Sequence, residues 1–188
     1  MGCKCFVTGI TIKEASDCIN RGEYQKAIKL LLGNETENEG EALYLLGLAY
    51  DGLQDLKSAF TYYKKAADLD YPNACYNLAF AYAHGRGVTT DMKLAIRYYQ
   101  KAARLLPDDV NVISALANAY VYVSNYDKAA EAMKRAISLG NDEALFTLGV
   151  IYFKLERDDE AVKYLKMALD KGEKRAQRYL DIIASENS

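Results

Sequence analysis

Two short strings recur along this chain of 188 residues, and their recurrence restricts the fold more than any other feature. The first, Tyr-Tyr-x-Lys-Ala-Ala, reads Tyr62, Tyr63, Lys65, Ala66, Ala67 and again Tyr98, Tyr99, Lys101, Ala102, Ala103. Weaker copies stand at Met133, Arg135, Ala136 and at Leu165, Met167, Ala168. The second is a Leu-small-x-x-Tyr pattern ahead of each copy: Leu46, Gly47, Tyr50; Leu78, Ala79, Tyr82; Leu116, Ala117, Tyr120; Leu148, Gly149, Tyr152. Self-similarity at a period of roughly 20–50 residues is the signature of stacked supersecondary units.

The two strings keep register. From the leucine to an alanine early in the second string the distance is 13 residues in three units: Leu46 to Ala59, Leu116 to Ala129 and Leu148 to Ala161. From Leu78 to Ala95 it is 17, so four residues are inserted there. Ala27 extends the series backward into a fifth, weaker unit, in which Cys18 replaces the tyrosine.

Leu at i, a small residue at i+1 and Tyr at i+4 share one helical face. The small residue admits a neighbouring helix and the tyrosine fills the space beside it. Polar breaks such as Ser124-Asn125-Tyr126-Asp127 and Glu156-Arg157-Asp158-Asp159 separate the two helices of a pair. One pair cannot bury its own apolar face, so the pairs must stack. The pattern predicts an all-α fold, a right-handed α-α superhelix (solenoid) of about five helix-turn-helix repeats plus a C-terminal capping helix. The units fall near 11–37, 38–72, 73–108, 109–141 and 142–173, with the cap at 174–188, all in one domain after a flexible segment 1–10. Helices are predicted over 11–20, 24–33, 40–52, 55–69, 73–84, 91–105, 109–123, 126–139, 142–155, 158–171 and 174–185. Tyr50, Tyr82, Tyr120 and Tyr152 are expected in the core. In the cap, Lys174, Arg175, Gln177 and Arg178 face one side and Tyr179, Leu180, Ile182 and Ile183 the other.

Composition excludes several functions. A net charge of −2 and a pI near 5.6 argue against nucleic-acid binding, which needs a concentrated basic surface. The longest clean apolar run, 42–50, is far below the roughly 20 residues of a membrane span. Four irregularly spaced cysteines and no export signal suggest a reduced, cytoplasmic protein. His84 is the one histidine and no nucleophile motif accompanies it, so no enzyme is expected. Cys3-x-Cys5 has no second pair to complete a metal site, and Gly85-x-Gly87 lacks the third glycine of a nucleotide loop. No metal and no cofactor are implied. The acidic run Glu35-Thr36-Glu37-Asn38-Glu39 reads as the N-terminal cap of the helix that follows.

These residues resemble two related families. The units containing Leu46, Leu116 and Leu148 look like tetratricopeptide repeats. The unit with Ala74, Leu78, Ala79, Tyr82, the turn Gly85-Arg86-Gly87-Val88, Asp91, Ala95, Tyr98, Tyr99, Lys101, Ala102 and Ala103 resembles a Sel1-like repeat, whose inter-helix turn is longer. The links of 12 residues from Ala66 to Leu78, Ala136 to Leu148 and Ala168 to Leu180 are also of Sel1 length. The resemblance covers roughly 11–185. It implies a non-catalytic adaptor or scaffold that binds a peptide or partner protein, the first helix of each pair lining a concave groove. By register that groove holds Tyr44, Leu48, Asp51, Tyr76, Asn77, Phe80, His84, Ser114, Asn118, Tyr122, Phe146, Val150, Phe153 and Lys154. Asn77 and Asn118 match the asparagines with which some tetratricopeptide proteins clamp a C-terminal carboxylate. Tyr44 and Ser114 stand where the clamp lysines would be, so an apolar, aromatic groove with amide hydrogen bonds is expected instead. The alternative is a self-associating structural scaffold, a homo-oligomer.

The start, Met1-Gly2-Cys3-Lys4-Cys5, resembles a dual-acylation signal with a myristoylated Gly2 and palmitoylated Cys3 and Cys5, which would tether the chain to a membrane. Phe6 stands where that signal wants Ser or Thr. The other reading is a short apolar piece, Phe6, Val7, Ile10 and Ile12, packed on the first pair.

Overall fold

The computed structural model of the chain describes residues 6–7, 9–32, 35–36 and 39–186, and the lipidation candidates Gly2, Cys3 and Cys5 lie outside them. The described residues form helices in pairs: α1 (Gly9–Asn20) with α2 (Tyr24–Leu32), α3 (Glu39–Gly52) with α4 (Leu56–Asp68), α5 (Pro72–His84) with α6 (Met92–Leu105), α7 (Val110–Tyr122) with α8 (Tyr126–Ser138), and α9 (Ala144–Lys154) with α10 (Asp158–Asp170). A last helix, α11, spans Arg175–Glu186. Helix ends lie within two residues of those the periodicity predicts; α1 starts at Gly9 instead of 11, and α9 at Ala144 instead of 142. Two-residue strands β1 (Phe6–Val7) and β2 (Glu35–Thr36) pair in parallel. The acidic run is therefore divided: Glu35 enters β2, while Glu39 and Glu41 occupy the first turn of α3, where the helix dipole favours them.

The helices fall into two compact units, one ending at Leu105 and the other beginning at Leu106. In the first, each helix packs on the next and α1 also packs on α3. In the second, the same succession runs from α7 to α11, and α9 also meets α11.

One backbone bond repeats in every pair. The carbonyl of the motif tyrosine accepts the N–H that opens the second helix: Asp55 to Tyr50 at 3.0 Å, Asn125 to Tyr120 at 2.9 Å and Arg157 to Tyr152 at 3.0 Å. In the first pair Glu23 donates to Cys18 at 2.8 Å, so the cysteine occupies the tyrosine's place in the register. In the third pair Asp91 donates to Tyr82 at 2.9 Å. The four inserted residues thus loop out between two points that are bonded as in every other pair. Side-chain caps follow, Asp55 accepting from the Ser58 N–H, Asn125 from that of Lys128 and Asp91 from that of Leu94. The links between pairs repeat as well: Tyr71, Asn141 and Glu173 donate to the Ala66, Ala136 and Ala168 carbonyls. Lys101 and Arg135, at equivalent places in the second string, reach back to the preceding helix end or link. Lys101 donates to the Ala67 carbonyl and pairs with Asp70, and Arg135 donates to the Pro107 carbonyl. A cation suits the negative end of a helix.

The core is built on the small residues. A Cβ placed on Gly47 would sit 2.5 Å from the Tyr63 ring, and one on Gly149 2.7 Å from Leu165. The small position therefore seats a large residue of the second helix. Leu46, Leu78 and Leu148 are buried, but Leu116 is only half-buried. The tyrosines divide differently from the expectation. Tyr120 and Tyr152 are buried, whereas Tyr50 and Tyr82 are half-buried. Tyr50 stacks on Tyr62 at 5.3 Å and Tyr82 on Tyr98 at 5.9 Å. Tyr152 stacks on Tyr164 in the same way, and the Arg157 guanidinium also lies 4.8 Å over its ring, completing the cover.

Ala59, Ala95, Ala129 and Ala161 are all buried, at 3% exposure or less. Enlarging any one to Leu is expected to cost on the order of 1–3 kcal/mol by overpacking. Urea unfolding of the four variants checks this, and unchanged midpoints would refute the register.

Candidate functional site

In the first unit, α3 and α5 stand over α4 and leave a cleft of about 370 Å³. Five of the predicted groove residues meet there: Leu48 and Asp51 from α3, and Tyr76, Asn77 and Phe80 from α5. Leu56, Ala59, Phe60 and Tyr63 of α4 form its floor, and Arg86 reaches in from the α5–α6 turn. The walls are mostly apolar. Phe80 is 38% exposed and lies 4.2 Å from the His84 ring, so the two rings form one exposed edge. Tyr44 sits alongside, half-buried against Tyr63 and Tyr71.

Arg86 was not among the predicted groove residues. Its guanidinium pairs with the Asp51 carboxylate at 2.5 Å, with both side chains about a third exposed. Such a pair adds roughly 0–1 kcal/mol of stability. Its larger effect is to cancel the charge of Asp51 within the cleft. The turn is held in place by Gly87, at φ +74°, where a Cβ would lie 2.0 Å from the Leu56 carbonyl oxygen. The insertion that lengthens this turn therefore rests on the start of α4 and delivers Arg86 to the cleft. Its signal in the sequence was the Gly-x-Gly flanking, which marks a backbone contact without showing which helix is touched.

Tyr63 of the repeated string is also absent from the predicted groove. Its hydroxyl is buried and makes no hydrogen bond of normal geometry. An unpaired buried polar group costs about 1–3 kcal/mol. Burial pushes the phenol pKa well above the ordinary tyrosine range, the Asp51 charge and Tyr44 add to the rise, and the nearby Asn77 amide and Arg86 oppose it. The hydroxyl therefore keeps its proton and remains a donor. Burial also raises the Tyr44 pKa, again with Asn77 opposing.

In the second unit the predicted residues make separate contacts. The Ser114 hydroxyl accepts from the Asn141 amide at 2.9 Å, which ties α7 to the α8–α9 link. Asn118 is exposed, and Tyr122 is 75% exposed. Phe146 and Phe153 meet Tyr179 of α11 edge-on at 5.8 and 5.5 Å. Val150 is half-buried, and the Lys154 ammonium lies 6.0 Å from the Tyr126 ring. A separate depression of about 540 Å³ reaches Phe146, and four of its charged residues form two ion pairs. Lys171 meets Asp142 at 2.7 Å, and Arg175 meets Glu173 at 2.6 Å, holding the Glu173 carboxyl at about 2.

Comparison with known proteins follows the same divisions. Residues 72–105, the pair with the inserted turn, match the Sel1 repeat model; residues 40–73 and 114–176 match tetratricopeptide repeat models. A crystal structure of a Sel1 repeat protein from Oxalobacter formigenes is 30% identical, covering 90% of this chain and 73% of that one, with a TM-score of 0.66. MamA from Desulfovibrio magneticus is 23% identical with a TM-score of 0.67, covering 94% of this chain and 98% of that one, a likeness of fold. Among curated relatives, the DAP3-binding cell death enhancer 1 of Mus musculus is 32% identical over 134 residues, which is 68% of this chain. This chain spans about a quarter of that relative's length, 26%. The chain belongs to the Sel1 and tetratricopeptide repeat family, whose repeats are non-catalytic protein–protein interaction modules.

Proposed function

We propose that the chain is an adaptor and that the α3–α4–α5 cleft holds an extended segment of a partner protein. The observation that carries this is the convergence of Leu48, Tyr76, Asn77 and Phe80 in one cleft with an exposed aromatic edge. Apolar walls supply affinity, and the Asn77 amide offers both a donor and an acceptor to an extended backbone. The Asp51–Arg86 pair leaves no free charge for a carboxylate clamp. The relatives' names fit an adaptor: one is a DAP3-binding protein, another a chitin synthase regulatory factor. Among the described residues no helix is long and apolar enough to cross a membrane.

Capture of random displayed peptides on the folded protein tests this. The wild type should enrich a consensus, and Phe80→Ala should weaken it about tenfold or more, as truncation of a central aromatic anchor does. Asn118→Ala, run beside it, asks whether the exposed face of α7 contributes. Enrichment that survives Phe80→Ala unchanged would remove the cleft from the binding surface.

A further inference from the structure

We propose that the α3–α4–α5 cleft is the seat of one tyrosine side chain of the bound segment, whose phenol oxygen accepts a hydrogen bond from the Tyr63 hydroxyl. This deepens the adaptor function and rests on it. Tyr63 is 4% exposed, it lines the cleft, and its hydroxyl is without a partner of normal geometry. Asp51, Asn77 and Arg86, all cleft residues, lie close enough to that hydroxyl to act on its titration. A buried donor without a hydrogen bond of normal geometry calls for an acceptor, and a ligand seated in the adjoining cleft can bring one.

Three features narrow the occupant. The volume of about 370 Å³, within the roughly 300–1,000 Å³ of ligand pockets, is large enough to admit an aromatic side chain of a bound segment. The walls offer the rings of Phe60, Tyr76 and Phe80, and rings prefer edge or offset contact with another ring. The polar groups are balanced: Asp51 would repel an anionic tip, Arg86 a cationic one, and each already satisfies the other. A neutral aromatic ring with a terminal oxygen meets all three conditions. Phenylalanine would leave the Tyr63 hydroxyl unpaired, and a phosphorylated tyrosine would bring two negative charges beside Asp51.

The test is an NMR titration of the ¹⁵N-labelled protein with p-cresol, toluene and p-tolyl phosphate, which carry the side-chain chemistry of tyrosine, phenylalanine and phosphotyrosine. p-Cresol should move the amide signals of Leu48, Phe60, Tyr76 and Asn77 and bind about fivefold tighter than toluene, the margin of one neutral hydrogen bond. p-Tolyl phosphate should bind more weakly than p-cresol. Tyr63→Phe should bring the p-cresol to toluene ratio to about one while its melting temperature stays at or above that of the wild type, since an unpaired hydroxyl is removed. Equal affinities in the wild type, a ratio that survives Tyr63→Phe, or tighter binding of the phosphate would each overturn the proposal. Displayed peptides that need Phe80 but carry no tyrosine would leave the adaptor function standing and refute this inference. Seating of p-cresol as expected without peptide enrichment would support the pocket's preference and remove the extended segment.

Discussion

Gly87→Ala should cost about 2–5 kcal/mol and abolish binding in the cleft. Two effects add. A non-glycine residue at φ +74° carries roughly 1–2 kcal/mol of backbone strain. The new Cβ would also meet the Leu56 carbonyl oxygen at 2.0 Å, a backbone contact that can be relieved only by moving the turn off α4. Overpacking of that kind costs typically 1–3 kcal/mol. Gly22→Ala supplies the control, because Gly22 has nearly the same φ, +76°, and an added Cβ there meets nothing within 4 Å. It should show the conformational cost alone. Urea midpoints of the two variants, compared with the wild type, separate the terms. Arg86 moves with the turn, so Gly87→Ala should also lose p-cresol binding while Gly22→Ala keeps it. Equal midpoint shifts would mean that the turn is not seated on α4.

The second large effect contrasts two leucines that hold the same place in the repeat. Leu148 is fully buried, and Leu148→Ala should cost about 2–5 kcal/mol through the lost transfer energy and the cavity left behind. Leu116 is half-buried, so Leu116→Ala removes less area from contact and should cost about 1 kcal/mol. Urea denaturation of both variants decides the matter. A cost for Leu116→Ala equal to that for Leu148→Ala would show that motif position, not burial, governs the core of the second unit.

Most of the fold was legible because it depends on local spacing. The 13-residue interval from Leu46 to Ala59 sets a helix, a turn and a helix, and the Tyr50 carbonyl closes that turn by one bond. The same interval recurs in the Leu116 and Leu148 pairs, and in the third pair the bond is kept although the interval from Leu78 to Ala95 is 17 residues. Even Cys18, which lacks the aromatic ring, keeps its place, because the bond is made by the backbone. Five residues of the candidate cleft, Leu48, Asp51, Tyr76, Asn77 and Phe80, were legible for a related reason: helical register alone puts them on the side of α3 and α5 away from the Leu and Tyr stripe. Tyr50 and Tyr82 were misplaced because periodicity sets a direction and not a degree of cover. Tyr152 is sealed by Arg157 across its ring, and that cover is a property of the fold.

The sequence by itself therefore determined the helices, their pairing and the site of the inserted turn. These follow from intervals of a few residues along one chain, where hydrogen bonding and helical geometry act. Only the tertiary structure decided what the inserted turn does. Arg86 meets Asp51 across 35 positions, and the Gly87 backbone lies on Leu56. No periodicity encodes such contacts, because they depend on how α5 and its turn settle on α3 and α4. The same packing buried the Tyr63 hydroxyl without a hydrogen bond of normal geometry and set this residue of the repeated string at the floor of a cleft.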